Sequence, residues 1–380
     1  MKSIQMVDLL TQYHNIQQDI DAGIREVLES TAFVKGSKVT DFQNHLAEYL
    51  GVKHVIAVGN GTDALQIALM SLGLQRGDEV ITPTFTFIAT AEVVALLGLT
   101  PVVVDVDYDT FCMNPEAVEH AITPKTKAIV PVNLFGQNAN LEILRQIADK
   151  HHLYLVEDAC QSMGSHYKMS DGRMVHSGCV GKIGCTSFFP SKNLGCYGDG
   201  GALFTNDDAL AERIRIIANH GMTVRYHHDY IGVNSRLDSI QAAVLDAKLP
   251  HLNDYVAARQ RAAAQYNEAF AECEELETPI TAPYTTHAFH QYTLKVHGIS
   301  RDKLRDRLAD RKVPSMVYYP IPLHLQKAYH DTRYKAGDFP VAERLAKSVL
   351  SLPMHTELDA EQMTFIIENV LKAVQELKNC

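Results

Sequence analysis

The run HVIAVGNGTDALQIALMSLGL, residues 54–74, decides the fold. Its first five residues are almost wholly apolar, as in a strand covered on both faces. Gly59 and Asn60 then break the run. Over 63–74, Leu65, Ala68, Leu69 and Leu72 fall at i, i+3, i+4 and i+7, the stripe of an amphipathic helix. Working outward, the alternation repeats. Short apolar runs stand at 80–82, 102–106, 128–132, 153–156, 186–189 and 202–205, with helical patterns at 141–151 and 208–218. Strand, helix, strand repetition predicts an α/β fold: a mostly parallel central sheet between two layers of helices.

The texture changes after about residue 235. Helices are predicted at 239–248, 252–270, 301–311 and 360–377, with a Pro-broken stretch at 278–284 and one strand-like run at 291–296. The sequence therefore divides into a large domain, 1–250, and a smaller C-terminal α+β domain, 251–380.

Composition narrows the function. The 380 residues are 46% hydrophobic and 21% charged, a globular balance that excludes a disordered or fibrous chain. The formal charge is −10, a poor match for a nucleic-acid backbone. The 7 cysteines, at 112, 160, 179, 185, 196, 273 and 380, form no CxxC pair, which predicts free thiols and no structural zinc. The N-terminal run MKSIQMVDLLTQYHNIQQDID lacks the apolar core of a signal peptide. No stretch approaches the ~18 apolar residues of a membrane span. A cytoplasmic protein is the expectation.

In a parallel sheet, ligands bind beyond the carboxyl ends of the strands. Three sequences stand there. Gly59-Asn60-Gly61-Thr62-Asp63-Ala64 is a tight turn opening a helix, a phosphate cradle by geometry; an ordinary turn capped by Thr62 or Asp63 reads equally well. It is neither a GxxxxGK[ST] loop nor a GxGxxG fingerprint. Asp158 ends an apolar strand, where a carboxylate needs a partner, and Gln161 follows three residues on. In Ser187-Phe188-Phe189-Pro190-Ser191-Lys192, a lysine follows a buried strand. Desolvation lowers the pKa of such an amine and suits it to form a Schiff base with an aldehyde. Each piece alone has a bland reading: a turn, a cap, a surface charge. Together they are what pyridoxal phosphate needs, with Lys192 for the aldehyde and Asp158 for the pyridinium nitrogen.

At this point the chain resembles the DegT/StrS-type nucleotide-sugar aminotransferases of the type I pyridoxal phosphate fold. The resemblance runs from Val7-Asp8-Leu9 to Ser351-Leu352-Pro353-Met354-His355. It rests on Asn60-Gly61-Thr62-Asp63-Ala64-Leu65, Pro83-Thr84-Phe85-Thr86-Phe87, Glu157-Asp158-Ala159, Ser187 to Lys192, and Gly232-Val233-Asn234-Ser235-Arg236-Leu237-Asp238. It implies that Lys192 carries the cofactor, that Asp158 meets the ring nitrogen and that Gln161 sits near the ring hydroxyl. Gly61, Thr62, Asp63 and Ser187 would hold the phosphate, and Phe87 would stack on the ring. Asn234 would reach the phosphate of a neighbouring subunit's cofactor, making a homodimer obligatory. On the residues alone, Phe87 reads as core, and Ser235 with Asp238 fits a capping box ahead of a helix.

The run SFFPSKNLGCYGDGGA, with RYHH at 225–228 and YPIPLH at 319–324, is similar to one subgroup of the family. That subgroup aminates UDP-2-acetamido-2-deoxy-3-oxo-glucuronate at C3, with L-glutamate as donor, for bacterial surface polysaccharide. Ser191 and Asp199 depart from the family's usual His or Asn and Glu, and Tyr318 stands where the subgroup carries His. A UDP-uronic acid brings several negative charges, which an acidic protein must meet with placed donors. Arg236, Tyr318 and Tyr319 are the candidates, with His324 expected near the mouth of the site. The resemblance implies ping-pong transamination through pyridoxamine phosphate. The alternatives are another nucleotide keto-sugar, a pyridoxamine-dependent sugar dehydratase, which Lys192 disfavours because those relatives carry histidine there, and a cofactor-binding regulator without turnover.

Overall fold

The computed structural model describes residues 3–329 and 332–379. Met1, Lys2 and Cys380, part of the N-terminal run and the cysteine set above, lie outside the described residues. In chain order the strands are β1 (His54–Val58), β2 (Glu79–Pro83), β3 (Thr100–Val104), β4 (Thr126–Ile129) and β5 (Tyr154–Asp158). A short hairpin follows, β6 (His166–Lys168) and β7 (Met174–His176), then β8 (Ile183–Ser187) and β9 (Gly201–Thr205). A second hairpin pairs β10 (Met222–Val224) with β11 (His227–His228). The last three are β12 (Leu276–Glu277), β13 (Tyr292–Val296) and β14 (Val349–Leu352).

The central sheet has 7 strands in the order β1-β9-β8-β5-β4-β2-β3. Its pairings are parallel except those of β9, which runs antiparallel to both β8 and β1. The expected mostly parallel sheet is therefore present, with one reversal. The cause is local: residues 188–200 form a closed loop with no crossover helix, so the chain returns beside β8 in the opposite sense.

Why the strands read as continuous apolar runs is visible in their packing. Alternate residues point to opposite faces, and both faces are covered. Val58, Val80, Ala128, Val156 and Leu203 pack with the helices Gly61–Ser71 and Asp208–Ile217. Their neighbours Ile81, Ile129 and Leu155 pack with the helix Leu141–Lys150, and Val55, Ala202 and Phe204 with Ser37–Leu50 and Ser239–Lys248.

A second, three-stranded sheet, β12-β13-β14, is antiparallel throughout. Tyr292, Leu294, Leu350 and Leu352 bury against the helices Arg301–Asp310 and Ala360–Lys378. The 19-residue helix Leu252–Phe270 joins the two cores. Its Leu252 and Val256 pack with the large sheet, and its Ala263, Tyr266 and Phe270 with the small one.

Candidate active site

The carboxyl ends of β1, β2, β4, β5 and β8 open into one cavity of about 650 Å³. Its lining includes Gly61, Thr62, Asp63, Phe87, Asp158, Gln161, Ser187, Lys192, Tyr318 and Tyr319. Those residues lie far apart in the sequence, and the sheet brings them together.

The turn after β1 is built for close approach. Asn60 caps the helix Gly61–Ser71: its side chain accepts from Asp63 N at 2.8 Å. The cap is therefore neither Thr62 nor Asp63. By helix geometry the Gly61 and Thr62 N–H groups have no intrahelical acceptor. A Cβ on Gly61 would stand 2.7 Å from Ser187 Cβ and 2.9 Å from Cys160 Sγ, so only glycine lets β8 come this near. Two backbone donors at a helix N-terminus with the Ser187 hydroxyl alongside suit a phosphate.

Asp63 corrects the expected phosphate set. Its N–H is taken by Asn60, and its carboxylate accepts the Ser235 hydroxyl at 2.5 Å. It has no free donor for an anion and instead clasps the turn to residue 235. Ser235 also accepts from Gly59 N at 2.9 Å. The capping-box reading of Ser235 fails for the same reason: the helix Ser239–Lys248 starts at Asp238 without a side-chain cap.

Adjacent carboxylates on β5 face opposite ways. Glu157 points into a cage of N–H groups from Gly178, Val180 and Gly181, and burial raises its pKa. Asp158 faces the cavity. Its Oδ2 accepts from Thr90 at 2.8 Å and its Oδ1 from Cys160 N at 3.2 Å. Gln161 is held at both ends, accepting from Phe135 N at 2.9 Å and donating to the Tyr319 hydroxyl at 3.0 Å.

Lys192 sits on the loop after β8. The loop is closed by Lys192 N to Phe189 O at 2.8 Å, by Asn193 Nδ2 to Ala288 O at 3.0 Å and by Lys248 Nζ to Gly195 O at 2.8 Å. Among the described residues no hydrogen bond or ion pair engages Lys192 Nζ. Burial pulls its pKa below the usual lysine value, outweighing the opposing influence of Cys160 and Asp158. That leaves a poised, unpartnered amine in the same cavity as Asp158. Phe87 is not core: it is 53% exposed on the cavity wall, its ring tilted toward Tyr319 at 6.2 Å.

Three expected residues lie elsewhere. His324 is buried, its ring bonded to Thr84 and Glu343, so it does not line the mouth. Arg236 lines a separate recess of about 270 Å³ with Lys35 and Arg215. Asn234 is exposed and outside the cavity. Thr90, Cys160, His290 and Asp199 were missed by sequence reasoning. Thr90 and His290 carried no motif, but Cys160 and Asp199 lay inside segments already singled out and could have been found there. Among the described residues no cluster of three or more His, Cys, Asp or Glu could hold a metal, and no helix is long and apolar enough to cross a membrane. The six described cysteines are free.

A family model described as the DegT/DnrJ/EryC1/StrS aminotransferase family matches residues 14–371. The chain belongs to this aminotransferase family. It is 46% identical, over 96% of its length and 98% of the relative's, to the UDP-2-acetamido-2-deoxy-3-oxo-D-glucuronate aminotransferase of Pseudomonas aeruginosa. Among solved structures, DesV of S. venezuelae in complex with a ketimine intermediate superposes with a TM-score of 0.94 at 39% identity, covering 99% of each chain. NtdA of Bacillus subtilis with bound cofactor PMP superposes with a TM-score of 0.87 at 32% identity, covering 97% of this chain and 83% of that one. Several of its relatives are transaminases of nucleotide sugars by name, and the α/β architecture is that of these neighbours.

Proposed function

We propose that this member uses pyridoxal 5'-phosphate to move an amino group from L-glutamate to a UDP-linked 3-keto sugar, with UDP-2-acetamido-2-deoxy-3-oxo-glucuronate as the acceptor. The observation that carries the reading is the unpartnered Lys192 Nζ sharing one cavity with Asp158 and the open helix start at Gly61–Thr62. The donor set fits the cofactor: the Gly61 and Thr62 N–H groups and Ser187 for the phosphate, Asp158 for the ring nitrogen, Gln161 for the ring hydroxyl and Phe87 for the ring face. Bound there, the cofactor supplies an aldehyde that carries the amino group and a ring that accepts electron density.

The chain's own residues then do three things. Lys192 Nζ, its pKa lowered by burial, takes the proton from the glutamate α-carbon and later returns one to C3 of the acceptor. Asp158, fixed by Thr90 and the Cys160 N–H, holds a proton on the ring nitrogen. Tyr318 and Tyr319 close the outer side against water. Glutamate leaves as 2-oxoglutarate, and the keto-sugar leaves as the amino sugar.

Asn234 and Arg236 lie outside their own cavity, and we assign them to the cavity of a second copy in a homodimer. Supporting this, the neighbouring segment exposes Val224, Tyr226 and Ile231, the last at 88%. The domain boundary near residue 250 fits the way the helix Leu252–Phe270 spans two cores.

The test is the absorbance of purified protein before and after L-glutamate, followed by mass analysis with a panel of nucleotide keto-sugars. Conversion from the aldehyde to the amine form of the cofactor, then a product heavier by an amino-for-oxo exchange, is expected. Loss of water would make it a dehydratase. Bound cofactor with no response to glutamate would make it a regulator.

A further inference from the structure

Tyr318 and Tyr319 form the outer wall of the cavity, yet they stand on a segment without regular structure. What fixes it begins at Thr84, the residue after β2. Thr84 is fully buried, and its N–H bonds Val104 O at 2.9 Å. Its carbonyl accepts from Leu323 N at 2.8 Å. Its hydroxyl oxygen lies 3.4 Å from His324 N and 2.8 Å from His324 Nδ1. On the far side, His324 Nε2 lies 3.1 Å from Glu343 Oε1, and the ring meets Phe339 edge-on at 4.7 Å. Glu343 Oε1 also accepts from Gly337 N at 2.7 Å.

One assignment of hydrogens satisfies every group. Thr84 Oγ1 accepts from His324 N and donates to Nδ1, leaving Nε2–H to donate to the Glu343 carboxylate. The ring is then a strut between the end of β2 and the helix Pro340–Ser348. Three residues past Thr84, Phe87 forms the facing side of the cavity, tilted toward Tyr319. Both walls therefore hang from the same threonine.

We propose that His324 is a positioning residue that sets the width of the cavity between Phe87 and the Tyr318–Tyr319 wall, and so governs productive seating of the bulky acceptor more than of the small amino donor. The proposal rests on the amino-transfer reading above for its kinetic consequence, but its structural content stands apart from it. A small acid tolerates a displaced wall, whereas a large ligand held partly by that wall loses its fit.

Three variants separate the two ends of the strut. His324→Leu removes both ring bonds, His324→Asn keeps an acceptor toward Thr84, and Thr84→Val removes the hydroxyl while leaving His324 in place. Hydrogen exchange of the amides of residues 317–326, measured on each full-length protein, reads the wall without any turnover. Protection is expected to fall about tenfold in His324→Leu and Thr84→Val, the scale of one or two lost hydrogen bonds, and to stay near the parent in His324→Asn. On the cofactor-loaded enzyme, KM for the keto-sugar is expected to rise about tenfold in His324→Leu and Thr84→Val, while the glutamate half-reaction stays within about twofold. Equal exchange in all variants and the parent overturns the proposal. So does a parallel loss in both half-reactions. If the parent itself fails to transfer an amino group, the functional reading fails, and the exchange data still decide whether His324 holds the wall. Should His324→Leu not fold, Thr84→Val carries the same comparison.

Discussion

Asp158 ends β5, where the backbone is held from both sides: its N–H bonds Pro131 O at 2.9 Å, and the next residue, Ala159, bonds Cys185 O at 2.8 Å. Tyr318 and Tyr319 face it from a loop suspended between a bridge from Met316 to Ser351 and the Thr84–His324 tie. The floor of the cavity is thus fixed by a sheet ladder, whose geometry survives the loss of one side chain. The wall is fixed by a few side-chain bonds, whose loss moves everything attached to them. The floor carries Asp158 and Gly61, with Lys192 on the loop after β8; the wall rests on the buried Thr84 and His324. On the proposed reading, the chemistry uses the rigid side and substrate selection falls to the adjustable one.

The sharpest break is at Lys192. Lys192→Ala is expected to lower turnover by about 10⁴-fold, the upper range for a positioned proton-transfer group, with cofactor still retained in its amine form. Rapid-mixing absorbance checks it, and sustained transfer by the variant would remove the floor from the mechanism. Asp158→Asn comes next. It exchanges a charged partner for a neutral one and is expected to lower turnover by about 10²-fold, with Thr90→Val costing less because it only frees one oxygen. Steady-state kcat at saturating substrates ranks the two.

Gly61→Ala tests the close approach of the helix start to the end of β8. The added methyl meets Ser187 and Cys160 at under 3 Å, so a loss of about 1–3 kcal/mol of stability and weaker cofactor retention are expected. Chemical denaturation and equilibrium dialysis measure these. The last test is the response to acid. Burial lowers the pKa of His287 to about 3 and, with Arg259 adding to it, that of His355 to about 4. The folded values lie below the unfolded one, so the unfolded chain binds more protons in acid. Stability is whole above pH ~6.5 and declines toward pH ~4 for His355 and pH ~3 for His287, by up to about 1.4 kcal/mol per unit for each. Exchange in residues 285–291 should rise before exchange in β5 and β8; simultaneous loosening would erase the distinction drawn here.

The same contrast explains what was legible in the residues. The floor motifs are local: strand, turn and helix start within a dozen positions, so Gly61, Asp158, Ser187 and Lys192 could be named from pattern. The helix Leu252–Phe270 was legible too, because a long Ala-rich stripe allows no other structure. The wall was not. Gln161 meets Tyr319 across 158 residues, and Thr84 meets His324 across 240. Phe87 reads as core until its exposure is known. Asp63 reads as a phosphate ligand until Asn60 is seen to occupy its N–H.

Apolar periodicity determined the layered α/β fold, and the spacing of glycine, aspartate and lysine picked out the residues on the strand ends; the aminotransferase family followed from the resemblance of whole motifs. Those follow from backbone geometry over short spans, which any neighbouring residues must obey. The reversal of β9, the role of Asp63, the burial of His324 and the separation of Arg236 from the cavity were decided only by tertiary structure. Each depends on which distant segments come into contact, and contact across hundreds of residues is set by the packing of the whole chain.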